Sequence, residues 1–177
     1  TQTMTLNPTL DGFINDGYDP TGYTDTYLRI GLSSPYNYLS LLKFEPDTIP
    51  SNISTATLNL YFGYESGFSG GLTGTLTAAL LKTDFDTSSN NYSTYSIDGA
   101  IDTDVSSATL GYSVSIPGDP IEIDVKSLVE RWRSITDTRY GFRLMNGGNY
   151  VDVYSMDTSS EQYRPTLEIT YYGEETE

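Results

Sequence analysis

Alternation with a period of two runs through almost the whole chain and leaves room for little except strands. In Ala56-Thr57-Leu58-Asn59-Leu60-Tyr61-Phe62, the residues Ala56, Leu58, Leu60 and Phe62 share one face. Pro165–Tyr171 sets Leu167, Ile169 and Tyr171 against Thr166, Glu168 and Thr170, and Tyr150–Tyr154 turns Val151 and Val153 inward. Successive strand residues point to opposite faces, so each segment has a dry side and a wet side. The same pattern predicts strands over Thr3–Leu6, Gly12–Asn15, Thr26–Ile30, Leu39–Phe44, Thr73–Leu81, Ala108–Ile116, Pro120–Val125 and Tyr140–Met145. Turn chemistry separates them at Asp19-Pro20, Ser69-Gly70-Gly71, Pro117-Gly118-Asp119-Pro120 and Asn146-Gly147-Gly148. About ten short antiparallel strands at this spacing predict an all-β jelly-roll β-sandwich. With 177 residues, one domain is expected. It is placed at 9–173, after a strand at 1–8 and before an acidic tail at 174–177.

One segment breaks the period. Between Asp124 and Trp132 the apolar residues Val125, Leu128, Val129 and Trp132 fall at i, i+3, i+4 and i+7, which is one face of a short helix over about 125–133. Asp124 is its natural N-cap. On that face Trp132, the only Trp, is expected to plug one end of the sandwich; a surface Trp that stacks on sugar is the rival reading.

The chain has no His and no Cys, but 16 Tyr. Histidine is the usual general base near neutral pH and cysteine the readiest nucleophile, so the available chemistry is reduced to carboxylates and hydroxyls. Asp84 with Asp86, and Asp102 with Asp104, are carboxylate pairs of the kind glycosidases use. Two residues apart on a loop, neither pair faces itself across a cleft. No P-loop, nucleophile elbow or HExxH pattern is present, and no enzyme is expected. A formal net charge of -15, from 9 Lys+Arg against 24 Asp+Glu, repels nucleic acid and anionic membranes. No apolar run is long enough to span a bilayer. The acidic, thiol-free, Tyr- and Thr-rich composition fits a protein outside the cell, its signal peptide removed.

No cofactor is required, though calcium is a candidate structural ion, since hard cations take carboxylate and carbonyl oxygens from irregular backbone. Asp11, Asp16, Asp19 and Asp25 crowd one punctuated stretch, and Asp98, Asp102 and Asp104 form a second group. Solvated acidic loops are the other reading of both. Tyr18, Tyr23, Tyr27, Tyr36 and Tyr38 crowd the first quarter, where aromatic faces on loops stack on sugars or bury against a second subunit. Asn52-Ile53-Ser54 and Asn91-Tyr92-Ser93 are glycosylation sequons in predicted turns.

Several segments together resemble DNRLRE-type domains. Leu41-Leu42-Lys43-Phe44, then Ile49-Pro50 and Ser54-Thr55-Ala56-Thr57-Leu58-Asn59-Leu60, are similar to that family's "IP…I-x-SATL-x-L" signature. Asp124-Val125-Lys126-Ser127-Leu128-Val129-Glu130-Arg131-Trp132, followed by Gly141-Phe142-Arg143-Leu144, resembles "DVT-x-LV-x-x-W…GF-x-L". Arg164-Pro165-Thr166-Leu167-Glu168-Ile169-Thr170-Tyr171 resembles the closing "RP-x-L-x-I-x-Y", and Asp11-Gly12-Phe13-Ile14 and Thr26–Gly31 the opening. Where such domains carry a "W-x-E…W" stretch, this chain has Thr83–Tyr92. The resemblance implies an extracellular jelly-roll module of prokaryotic surface proteins, some of them grouped with carbohydrate-binding modules.

Two functions follow as expectations. In the first, the chain is a non-catalytic fibre subunit and its partner is another copy of itself. Thr1–Asn7, which alternates Met4 and Leu6 against Thr3 and Thr5 ahead of Pro8, then pairs with the neighbour's sheet. In the alternative, the chain is a carbohydrate-binding or adhesion module whose partner is a glycan.

Overall fold

Strands need a second layer to bury their dry faces, and the chain supplies it by forming two sheets that close on one another. The computed structural model describes residues 1–17, 22–63, 71–135 and 141–173. Along the chain run β1 (Gln2–Leu6), β2 (Leu10–Asn15), β3 (Tyr27–Ser33), β4 (Tyr36–Lys43), β5 (Ile53–Tyr61), β6 (Leu72–Leu80), α1 (Tyr92–Tyr95), β7 (Ala108–Val114), β8 (Pro120–Asp124), α2 (Lys126–Ser134), β9 (Phe142–Asn146), β10 (Val151–Tyr154) and β11 (Thr166–Tyr171). One sheet has the order β1-β11-β5-β8. The other runs β10-β3-β4-β9-β6-β7, with β2 added on β4. All the strand pairings are antiparallel, and the result is a curled, jelly-roll-like sandwich.

Inward residues read from the alternation meet between the sheets. Ala56, Leu58, Leu60 and Phe62 join Leu167, Ile169, Val151 and Val153 in one buried cluster with Leu28, Ile30, Phe44, Phe142 and Leu144. α2 closes that cluster with Leu128, Val129 and Trp132. Trp132 is 1% exposed, and its ring lies 5.0 Å from that of Phe142, so it is a plug and has no face left for a sugar. The cap differs from expectation by one residue. Val125 takes the N-cap position because its N–H still bonds the carbonyl of Ala56 on β5, which holds the backbone extended through Asp124. Asp124 nevertheless accepts the Lys126 N–H at 3.0 Å.

A second cluster lies on β2 and β4, formed by Ile14, Leu39 and Leu41 under Leu81, Phe85, Tyr95 and Tyr23. The stretch from Thr83 to Ile97 covers it and contains α1, which the strand pattern did not predict. Two basic side chains tie this cover down. Arg143 on β9 donates to the carbonyls of Tyr95 and Ile97 at 3.0 and 3.1 Å, and Lys43 donates to Phe85 at 2.6 Å while pairing with Asp84 at 2.7 Å.

The first strand pairs within its own chain. β1 pairs with β11 of its own chain, from Gln2↔Tyr171 to Leu6↔Leu167, and Met4 and Leu6 pack on the chain's own core. In this arrangement, donation to a neighbour would first require breaking that ladder. The acidic tail at 174–177 lies outside the described residues.

Candidate functional site

The short ribbon of β3 and β10 places Asp152 opposite Arg29 and Tyr154 opposite Tyr27. Leu28, Ile30, Val151 and Val153 point into the core with no exposure. Alternation therefore turns Tyr27, Arg29, Asp152 and Tyr154 outward. Arg29 makes a two-pronged bond to Asp152, Nε to Oδ1 and Nη2 to Oδ2, each at 2.9 Å. Asp152 is 3% exposed and the Arg29 side chain 22%. The Asp152 hydrogen bonds raise the Arg29 pKa against the opposing effect of burial, so the guanidinium stays charged. Its carbon lies 4.2 Å from the centre of the Tyr150 ring and 5.5 Å from that of Tyr38. Phe13 stands edge-on to Tyr38 at 5.7 Å.

Glycine makes this approach possible. Gly31 has φ +114°, and a Cβ there would sit 3.0 Å from the Tyr150 Cα and 3.1 Å from the carbonyls of Gly148 and Asn149. The turn before β10 closes on β3 through Leu32 N–H to Gly148 and Tyr150 N–H to Leu32, each 3.0 Å, which brings Tyr150 over Arg29. At the other end of β10, Tyr154 stacks on Tyr163 at 5.2 Å and 13°, and Tyr61 reaches Tyr163 at 5.8 Å. The strip thus has aromatic rings at both ends and an ion pair at its centre. Four residue steps lead from Tyr150 to Tyr154, roughly 13 Å. All the rings in it are half-buried. Such rings offer flat apolar surface on either side of a fixed, largely buried Arg–Asp pair.

Of the tyrosines singled out in the sequence, Tyr27 and Tyr38 belong to this strip. Tyr36, at the start of β4, is 38% exposed and packs beside Gly17. Tyr23 is buried in the second cluster and donates to the Ser89 carbonyl at 2.7 Å. Tyr18 and Asp19 lie outside the described residues. Sequence reasoning missed Arg29, Tyr150, Asp152, Tyr154 and Tyr163. The signal for three of them was present, since Tyr150, Asp152 and Tyr154 are the wet positions of a strand whose dry positions, Val151 and Val153, were recognised.

The acidic groups have mostly found other partners. Asp102 and Asp104 hold Arg131 of α2 at 2.8 and 3.3 Å, and the Arg131 bond keeps the Asp102 carboxyl below its usual range. Asp98 acts by charge on Arg143. Asp16 accepts from the backbone and side chain of Asn37 at 2.8 and 3.0 Å. Asp84 is taken by Lys43, and Asp86 caps Ser88 at 2.8 Å, so no facing carboxylate pair forms there. Among the described residues no three acidic side chains converge as metal ligands. Among the described residues of both groups, Asp16, Asp102 and Asp104 are satisfied by nearby amides and cations. Asp11 is the exception. It is fully buried, its Oδ2 accepts the Met156 N–H at 2.8 Å, and its Oδ1 has no hydrogen-bond partner among the described residues. Burial pushes its pKa up to about 7, the Met156 N–H opposes this, and the Asp157 charge adds to it. Asp25 contributes its carbonyl, which accepts from the Ser155 hydroxyl.

Asn91 caps α1, its amide oxygen accepting from the Ser93 N–H and hydroxyl at 3.0 and 2.6 Å. The Asn52 carbonyl accepts the Tyr172 N–H just before β5. Both asparagines are exposed. No helix among the described residues is long and apolar enough to cross a membrane. No curated protein matches the chain. A family model does match, over residues 2–171: carbohydrate-binding module family 96.

Proposed function

The chain belongs to carbohydrate-binding module family 96, and on that premise we propose that it binds an uncharged glycan chain along the outward face of β3 and β10. The observation that carries this assignment is Arg29, fixed by both oxygens of Asp152 and covered by Tyr150. Sugar rings have apolar C–H faces and polar edges. Aromatic surface takes the faces, and the partly exposed guanidinium, held in place by the buried carboxylate, donates to hydroxyls at the edges. The half-buried rings follow one another along the strand, which suits a run of sugar units. A net charge of -15 disfavours polyanions, and so favours a neutral polymer. The role is non-catalytic retention on a glycan surface, as a module of an exported protein; the resemblance to DNRLRE-type modules supports that setting.

Titration with neutral oligosaccharides of increasing length tests this. Affinity should rise until the ligand reaches from Tyr150 to Tyr154 and then level off. Tyr150→Ala and Tyr154→Ala should each weaken binding by roughly 2- to 10-fold, as expected for one lost ring contact, with little change in melting temperature. Failure of the folded protein to bind any member of a broad neutral panel would refute the assignment. Binding that ignores both substitutions would refute the site.

A further inference from the structure

Asp11 points from β2 toward the turn that follows β10. That turn is rich in oxygen. The Ser155 hydroxyl donates to the Asp25 carbonyl, the Ser155 N–H bonds the Thr26 carbonyl at 3.0 Å, and the Thr158 N–H returns to the Ser155 carbonyl at 3.3 Å. The exposed carboxylate of Asp157 is near enough to repel the charge of Asp11. Neither Asp11 nor Asp157 forms an ion pair with a basic side chain among the described residues. A fully buried carboxylate with one bare oxygen, within reach of a second negative charge, is costly without a counter-charge.

We propose that Asp11 is the anchoring ligand of a calcium site, completed by the Asp157 carboxylate and by main-chain oxygens of the Asp25 and Ser155–Asp157 segments. The chain has no His or Cys, so a hard cation is the class that fits the available donors. Calcium accepts many oxygen ligands in irregular geometry, whereas magnesium demands a near-octahedral set. The ion would tie β2 to the residues just after Tyr154, fixing one end of the aromatic strip. The site does not depend on the glycan assignment, because its ligands belong to the folded chain alone.

Equilibrium dialysis with calcium alone, at neutral pH, should show one ion per folded chain. Melting in calcium should exceed melting in chelator for the native sequence. In Asp11→Asn the Asn keeps the size of the side chain and removes its charge. This variant should bind calcium about 10-fold or more weakly and melt at the same temperature in both conditions. Should it fail to fold, Asp157→Asn on the exposed side of the site is expected to weaken calcium binding in the same sense. Absence of binding by the native protein at millimolar calcium, or native affinity in a folded Asp11→Asn or Asp157→Asn variant, would overturn the site. Sugar binding is not part of this readout, so its failure and that of the glycan assignment are distinguishable.

Discussion

At position 31 a single methyl group decides whether the candidate site assembles. Gly31 occupies a backbone region that L side chains rarely adopt, and the space its Cβ would need is filled by the Gly148–Tyr150 backbone. Gly31→Ala should therefore cost roughly 1–3 kcal/mol of stability. It should also weaken glycan binding by moving Tyr150 off Arg29, as read by melting and titration on the same sample. Arg29→Met should cost more, about 3–5 kcal/mol, because it strips the charge partner from a nearly buried Asp152. The Asp102–Arg131 pair gives a pH signature. The folded-state pKa of Asp102 is depressed below its usual value of 3.8. Its contribution to stability is therefore fully present above that value and is lost as pH falls through the folded pKa. Arg131→Met should lower stability near neutrality and flatten the acid limb of the stability curve, measured by melting on the acid side of neutrality.

Among the elements, α2 is a stopper whose worth lies in one side chain. Its nine residues are too short to hold a helix by themselves, and Leu128, Val129 and Trp132 fasten it to the core. Trp132→Ala should cost about 3–5 kcal/mol, as for other fully buried aromatic truncations, and equilibrium denaturation measures it directly. As the only Trp lies inside the core, its emission should stay blue-shifted and be insensitive to added glycan. α1 works the other way. Four residues cannot form a stable helix alone; Asn91 caps its start, and the Arg143 bonds to Tyr95 and Ile97 hold its far side. That dependence on a residue of β9 is why the local pattern gave no warning of it.

For the whole molecule, the first strand matters as a sealing edge. β1 covers one side of β11 and adds Met4 and Leu6 to the core. Removing residues 1–7 should leave a folded domain, since β11 keeps its partner β5. The truncated chain should melt at a lower temperature, and its newly bare β11 edge should promote self-association, which sedimentation would detect.

Neighbouring residues alone fix which side of β5, β10 and β11 is dry, whereas β4 is buried on both faces. The inward faces of β5, β10 and β11, the apolar stripe of α2 and the absence of thiol and imidazole chemistry are all written in neighbouring residues. Local spacing sets a strand's two faces, so periodicity is enough to read them. Which strands lie side by side is settled by long-range packing. Arg29 and Asp152 are 123 residues apart, and nothing near either one names the other. The same holds for Tyr150 closing over Arg29 and for β1 choosing β11 of its own chain. It also holds for Asp11, indistinguishable in sequence from Asp16, being buried while Asp16 bonds Asn37 at the surface. These outcomes depend on how two sheets close around a shared core, and that closure joins residues whose proximity no local pattern records.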